Sequence, residues 1–186
     1  MPPNKLSTGI GAPGNCFNRS GISRSFIRKI QTFLDGPAGS RALIRSLIEE
    51  RLRMSQKNVK IVRGMYDAFA KGDIPTVVAA LDPQVEWWEA ENFIYDDGNP
   101  YVGPDAVLQG VFMRIGTEWQ GFAVSPKEVL DAGNIIIGHG HYSGTYIKNG
   151  RQARAQFAHF FTFRDGKIVK FQQYTDTAQF KQVTNG

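Results

Sequence analysis

An α+β fold is predicted by a single change of rhythm along the chain. Up to about Trp119, apolar residues recur at three- and four-residue spacings between Gly and Pro breakers. After it, β-branched and aromatic residues alternate with polar ones, and short polar turns such as "NG" and "DG" join the runs. Helices come first, one early strand follows, and a four-strand antiparallel meander completes the sheet.

The first 39 residues are Gly/Ser/Pro-rich and basic, with "STGIGAPGN" and "DGPAGS" as breakers and "SRSFIRKIQTFL" as a short amphipathic helix. Residues 1–53 hold nine Lys/Arg against three Asp/Glu, whereas residues 54–186 hold thirteen against fourteen. The basic surplus therefore belongs to the N-terminal segment, and the main body is no nucleic-acid binder. This start reads as a solvated tail, or as an extension upstream of a natural start at Met54, in preference to an organelle-targeting peptide. No apolar run approaches the roughly 18 residues of a membrane span. Cys16 has no partner for an internal disulfide, and no Cys/His set has zinc spacing. The expectation is a cytoplasmic protein with no cofactor, metal, nucleic acid or membrane partner.

Residues 40–55 form a helical lead-in, with Leu43, Leu47 and Ile48 on one stripe. A second helix, "KNVKIVRGMYDAFAKGD", aligns Val59, Val62, Tyr66 and Phe69 and ends at Gly72. In "GDIPTVVAALDP" Asp73 is the N-cap, Pro75 lies in the first turn, and the helix stops before Pro83. A fourth helix starts at Pro104. Strands are expected over 84–92, "FAVSPKEVLDA", "NIIIGHGHYSGTYIK", "RQARAQFAHFFTFR" and "KIVKFQQYTD".

The turns set the register. A two-residue loop at Asn149–Gly150 pairs Tyr142 with Phe157 and Gly140 with His159. One face of the hairpin then carries Gly138, Gly140, Tyr142, Phe157, His159 and Phe161. The other carries His139, His141, Ala158 and Phe160. At "FRDGKI" a two-residue turn would place Lys170 opposite Phe161 on the aromatic face. A three-residue loop sets Phe171 opposite His159 and turns Lys170 outward; the cost of burying an unpaired ammonium favours it. His139 and His141 lack a third ligand. In 84–92 alternation alone leaves two faces open, Trp87 with Glu89 or Glu86 with Trp88.

The pieces "MYDAFAKGDIPTVVAALDPQVEW", "PYVGPDAVLQGVF", "GHYSGTY" and "FAHFFTFRDGKIVKFQQYTDT", in this order, resemble the SnoaL-like branch of the nuclear-transport-factor-two-like superfamily, which includes ketosteroid isomerase. The resemblance covers residues 56–180, leaving 181–186 as a tail. It implies a cone-shaped, curved antiparallel sheet wrapped around N-terminal helices, an internal pocket, and homodimers that pair through the outer sheet face. It places Glu89 where ketosteroid isomerase carries its general-base aspartate and His159 where that enzyme carries its protonated, hydrogen-bond-donating aspartate. Met65 takes the place of that enzyme's oxyanion tyrosine, with Tyr66 one residue on. The parity of 84–92 is thereby resolved with Glu89 inward.

The resulting expectation is an isomerase- or cyclase-like enzyme doing acid–base chemistry beside a carbonyl of a hydrophobic small molecule. Glu89 and His159 are its catalytic groups, and Trp87, Tyr142, Phe157, Phe161, Phe171 and Tyr174 line the substrate site. Asp176 is expected to cap a short C-terminal turn. The alternative is a non-catalytic ligand-binding or dimerisation module of the same fold.

Overall fold

The computed structural model describes residues 38–185. The N-terminal extension, with Cys16 and the readings attached to it, lies outside them. The chain divides into two units, Met1–Leu47 and Ile48–Gly186. The described part of the first is the beginning of helix α1; the second holds every other element.

Helix α1 runs unbroken from Ala38 to Ala70, where two helices were expected. The joining residues "RMSQKN" contain neither Gly nor Pro, so nothing stops helix propagation there. Leu43, Leu47 and Ile48 are exposed along it. Val62, Met65 and Tyr66 are buried. Gly72, at φ 72°, takes the left-handed position that ends the helix, with the Gly72 N–H donating to the Phe69 carbonyl at 3.0 Å. Helix α2 (Ile74–Ala79) is capped as expected: the Thr76 N–H donates to Asp73 Oδ1 at 3.2 Å.

Strand β1 (Leu81–Trp88) is followed by a loop and a two-residue strand β2 (Tyr101–Val102). It begins earlier than expected and ends before Glu89. The fourth predicted helix comprises α3 (Pro104–Val107), a π-helical turn Leu108–Phe112, and α4 (Met113–Glu118). The wide turn coincides with a tight contact, since a Cβ at Gly110 would lie 2.0 Å from the Tyr101 ring. Strands β3 (Trp119–Ala132), β4 (Ile135–Tyr146), β5 (Gln152–Arg164) and β6 (Lys167–Thr175) form the meander, and α5 (Thr177–Thr184) closes the chain. Asp176 stands at the N-cap of α5 but its side chain makes no capping bond. Phe180 and Val183 of α5 are buried, so the ordered structure continues past residue 180.

The sheet is curved and open, with order β2-β1-β6-β5-β4-β3. It is mixed and not wholly antiparallel, because β1 pairs with β6 in parallel. Only hairpin-linked neighbours are forced to be antiparallel; β1 meets β6 through a long connection and is free of that constraint. Register breaks in β3, between Gln120 and Ala123 and between Pro126 and Glu128, disrupt the ladder against β4.

The β4–β5 register differs from expectation by two residues: Gly138 opposes His159 and Gly140 opposes Phe157. The connection spans four residues, closed by the Tyr146 N–H donating to the Arg151 carbonyl at 2.8 Å. Of the two "NG" residues only Gly150 takes a positive φ, whereas a type I′ turn needs both. Asn149 is instead engaged through its side chain, which donates to the Val183 carbonyl at 2.7 Å and accepts from the Arg151 N–H at 3.1 Å. A two-residue slip preserves which face each side chain occupies, so the predicted faces stand.

At the second turn Asp165 (φ 51°) and Gly166 (φ 76°) form the two-residue loop, with Arg164 opposite Lys167. A bulge then follows: Phe163 opposes Ile168 but Thr162 opposes Lys170, leaving Val169 as the extra residue. Phe171 therefore opposes Phe161, and His159 opposes Gln173. Lys170 points outward and is exposed, with its Nζ 5.8 Å from the centre of the Trp88 ring. The penalty for burying the ammonium is avoided by the bulge and not by a longer loop.

Candidate active site

Trp87, near the end of β1, lies opposite Phe171 of β6 in the parallel pair, and their rings stack at 3.7 Å. This contact fixes the inward face of β1 and directs the indole N–H toward the next same-side residue. Glu89 Oε1 accepts that N–H at 2.7 Å. Glu89 is only 2% exposed, and its Oε2 has no hydrogen-bond partner among the described residues. Burial pushes the carboxyl up to about pKa 7, with the indole bond acting in the opposite sense. Although Glu89 stands beyond the strand, its peptide is held. The Glu89 N–H donates to Asn99 Oδ1, and Asn99 Nδ2 donates to the Glu89 carbonyl, both at 2.9 Å.

His159, on β5, is 5% exposed and stacks on Phe157 at 4.1 Å between ring centres. Burial lowers its pKa to about 3, so the ring is neutral near neutrality. Both nitrogens are engaged. Nδ1 lies 3.0 Å from the Tyr66 hydroxyl, and Nε2 is hydrogen-bonded to the Tyr142 hydroxyl. Gln173 Nε2 donates to that same Tyr142 hydroxyl at 2.9 Å. Burial raises the pKa of both phenols.

Gly138 makes room for this set. A Cβ at that position would lie 2.1 Å from the Tyr66 hydroxyl oxygen. Gly138→Ala is expected to force the phenol off His159 and to destabilise the fold by about 1–3 kcal/mol, as over-packing does. Urea unfolding of the variant against the unaltered protein measures this.

These groups converge on a cavity enclosing about 60 Å³ of free space, room for a few water molecules. Its polar lining is Glu89, Tyr66, Tyr142, His159 and Gln173, set in an apolar wall that includes Trp87, Phe161 and Phe171. Two predicted site residues stand elsewhere. Phe157 is buried and meets the cavity residues from behind, against the His159 and Tyr142 rings. Tyr174 is 57% exposed because its neighbour Gln173 holds the inward position, and its ring packs edge-on against Phe160 at 5.5 Å. Glu86 and Glu91 are exposed. His139 lies 3.2 Å from Glu128, and no three metal-ligating side chains converge among the described residues.

Sequence reasoning missed Gln173 and Asn99, and read Tyr66 as core alone. The offset between Met65 and Tyr66 held the missing signal. Both line the cavity, but it is the Tyr66 hydroxyl that reaches His159.

A family model described as "SnoaL-like domain" matches residues 62–171. Among solved structures, an NTF2-like protein of Burkholderia thailandensis is 35% identical, with a TM-score of 0.65 over 68% of this chain and 95% of that one. An NTF2-like protein of Burkholderia pseudomallei is 30% identical, with a TM-score of 0.64 over 70% of this chain and 98% of its own. A Jannaschia structure with the provisional assignment SnoaL-like polyketide cyclase shares the fold at 14% identity, with a TM-score of 0.60 over 70% and 94% of the two chains. No curated protein matches the chain.

Proposed function

The chain belongs to the SnoaL-like domain family, and from that premise we propose that it is a cofactor-independent enzyme that removes a proton from the carbon beside a carbonyl. The observation that carries this reading is the half-satisfied carboxyl of Glu89. One oxygen is pinned by Trp87, and the other is buried and unpartnered beside the cavity. A general base needs a free lone pair and a pKa near the working pH, and burial provides the second.

In the proposed step the carbon–hydrogen bond breaks and the proton passes to Glu89 Oε2. The electron pair moves onto the carbonyl oxygen as an enolate. A hydroxyl of the Tyr66–His159–Tyr142 set receives that oxygen by hydrogen bonding, across a largely apolar cavity where such bonds count for more than in water. Protonated Glu89 returns the proton to a second carbon, which is isomerisation, or the enolate carbon bonds to another carbonyl carbon, whose oxygen takes up the π electrons and the proton from Glu89, which closes a ring. The aromatic wall of Trp87, Phe161 and Phe171 suits a flat, hydrophobic substrate, which enters by widening the free space of about 60 Å³. A homodimer through the outer sheet face, where Tyr174 and Phe160 present their rings, belongs to the same proposal.

Deuterium exchange tests it. Flat carbonyl compounds that raise the melting temperature are incubated in D₂O with and without protein, and α-carbon labelling is followed by mass spectrometry. Accelerated labelling of at least one is expected. Binding with no acceleration for any of them would make the protein a ligand-binding module instead.

A further inference from the structure

Helix α1 carries two buried polar side chains on the face that packs into the domain, and only one of them is hydrogen-bonded. Ser55 anchors the β3–β4 turn: its hydroxyl is hydrogen-bonded to Asp131 and lies 3.0 Å from the Gly133 carbonyl. Asn58, three residues on, is 6% exposed, and its side-chain oxygen is buried with no hydrogen-bond partner among the described residues. An enclosed carboxamide end without a partner gives up the hydrogen bond that water would supply. Asn58 lines a cavity of about 190 Å³ between α1 and the tips of the β3–β4 and β5–β6 turns.

That cavity is also lined by charges of opposite sign that do not meet. Arg51 stands seven residues before Asn58 and so shares its helix face. Its Nη2 lies against the β3–β4 turn, 3.6 Å from where a Cβ on Gly133 would be. Asp165, at the β5–β6 turn, supplies the anion. Neither Arg51 nor Asp165 makes an ion pair among the described residues. Lys57, whose Nζ comes within 4.0 Å of the Cβ position on Gly166, leaves Asp165 unpaired as well. Met54 and Phe163 add an apolar wall. The volume is below the roughly 300 Å³ at which drug-sized sites begin, so a fitting ligand is small. It also holds a cation and an anion close together and carries an apolar part.

We propose that this cavity binds a free α-amino acid with an apolar side chain. The carboxylate pairs with the Arg51 guanidinium, whose fork matches it, and the ammonium pairs with Asp165. The side chain lies on Met54 and Phe163. Which way the Asn58 amide is turned does not matter to this assignment. The ammonium donates to the amide if its oxygen faces the ligand, and the carboxylate accepts from it if the nitrogen does. Asn58 and Tyr66 are eight residues apart, roughly 12 Å along the helix. The two cavities share no lining residue, so this site stands independently of the reaction proposed at Glu89.

The full chain, labelled with ¹⁵N, is titrated with L-leucine, L-valine, L-methionine and L-phenylalanine while the backbone amide signals of Gly133, Asn134 and Gly166 are followed. Saturable shifts of these signals are expected with at least one of them. The acid and the amine derived from the best binder (4-methylpentanoate and 3-methylbutylamine for leucine) are each expected to bind about tenfold or more weaker, the scale of one hydrogen bond to a charged group. Arg51→Gln should remove the amino acid's advantage over the amine. Asp165→Asn, which suits the left-handed backbone at φ 51°, should remove its advantage over the acid. Asn58→Leu should weaken binding about tenfold or more and leave the melting temperature at or above that of the unaltered protein. Silence of the three amide signals toward all four amino acids overturns the proposal. Equal affinities for amino acid, acid and amine also overturn it and make the cavity an apolar crevice, as does a selectivity unmoved by Arg51→Gln and Asp165→Asn.

Discussion

Glu89→Gln lowers turnover of any carbonyl substrate by about 10³-fold, within the usual contribution of a positioned general base, and leaves the fold intact. Glutamine keeps the shape of the side chain and an oxygen that accepts the Trp87 indole N–H, but it removes the basic lone pair at the free position. Steady-state rates together with thermal melts distinguish lost chemistry from lost structure. On the proposed mechanism the unaltered protein should gain kcat/KM as pH rises through about 7, where Glu89 loses its proton, and then level off. Turnover of Glu89→Gln equal to that of the unaltered protein would remove Glu89 from the mechanism.

The second large effect concerns stability and pH. Glu89 titrates at about 7 when folded, against an ordinary value of 4.5. The folded form keeps a proton that the unfolded chain has released, so its contribution is fully present below 4.5 and is lost as pH rises to about 7. The loss amounts to about 3 kcal/mol. His159 behaves oppositely, at about 3 when folded against 6.5 when free. Its contribution is present above 6.5 and is lost as pH falls towards 3, by about 5 kcal/mol. Between about pH 4.5 and 6.5 the folded state gains one proton at Glu89 and refuses one at His159, so the two slopes cancel. Asp97 and Asp131, held below 3.8 by their partners, act only at lower pH. Urea midpoints of the unaltered protein are therefore expected to be nearly flat across that window. Glu89→Gln should expose a fall in stability toward acid, and His159→Gln a fall toward neutrality. Parallel slopes in the two variants would show that the site does not hold these protonation states.

Much of this was legible because β side chains repeat every two residues. Placing Gly140 instead of Gly138 opposite His159 was an error of two, which leaves faces unchanged, so Tyr142, His159 and Phe161 were assigned to the interior correctly. Lys170 was placed outside by the cost of burying its charge, although the device that turns it outward, the extra residue Val169, leaves no mark in composition. Tyr66 was visible as one of a helical stripe, but its hydrogen-bond partner lies 93 residues away. Gln173 in "FQQYT" looks like ordinary strand filling. Its role depends on a β5–β6 register that the bulge alone sets, and on a bond to Ala90 across a parallel pairing that no hairpin announces. The continuity of α1 had a legible cause, the lack of any breaker in "RMSQKN".

Asn99 gives the loop after β1 a closed base. Its amide grips the peptide of Glu89 from both sides, as a neighbouring strand would, and so ties the start of the loop to its end. The residues between are anchored elsewhere in the domain, Tyr95 through Glu118 and Trp119, and Asp97 through Arg114. Phe93 among them supplies part of the pocket wall, while the carboxylate at the root of the loop is held by Asn99 and Trp87. The wall and the carboxyl are thus held by separate contacts, and a substitution at Phe93 would reshape the pocket without releasing Glu89 from Trp87 and Asn99.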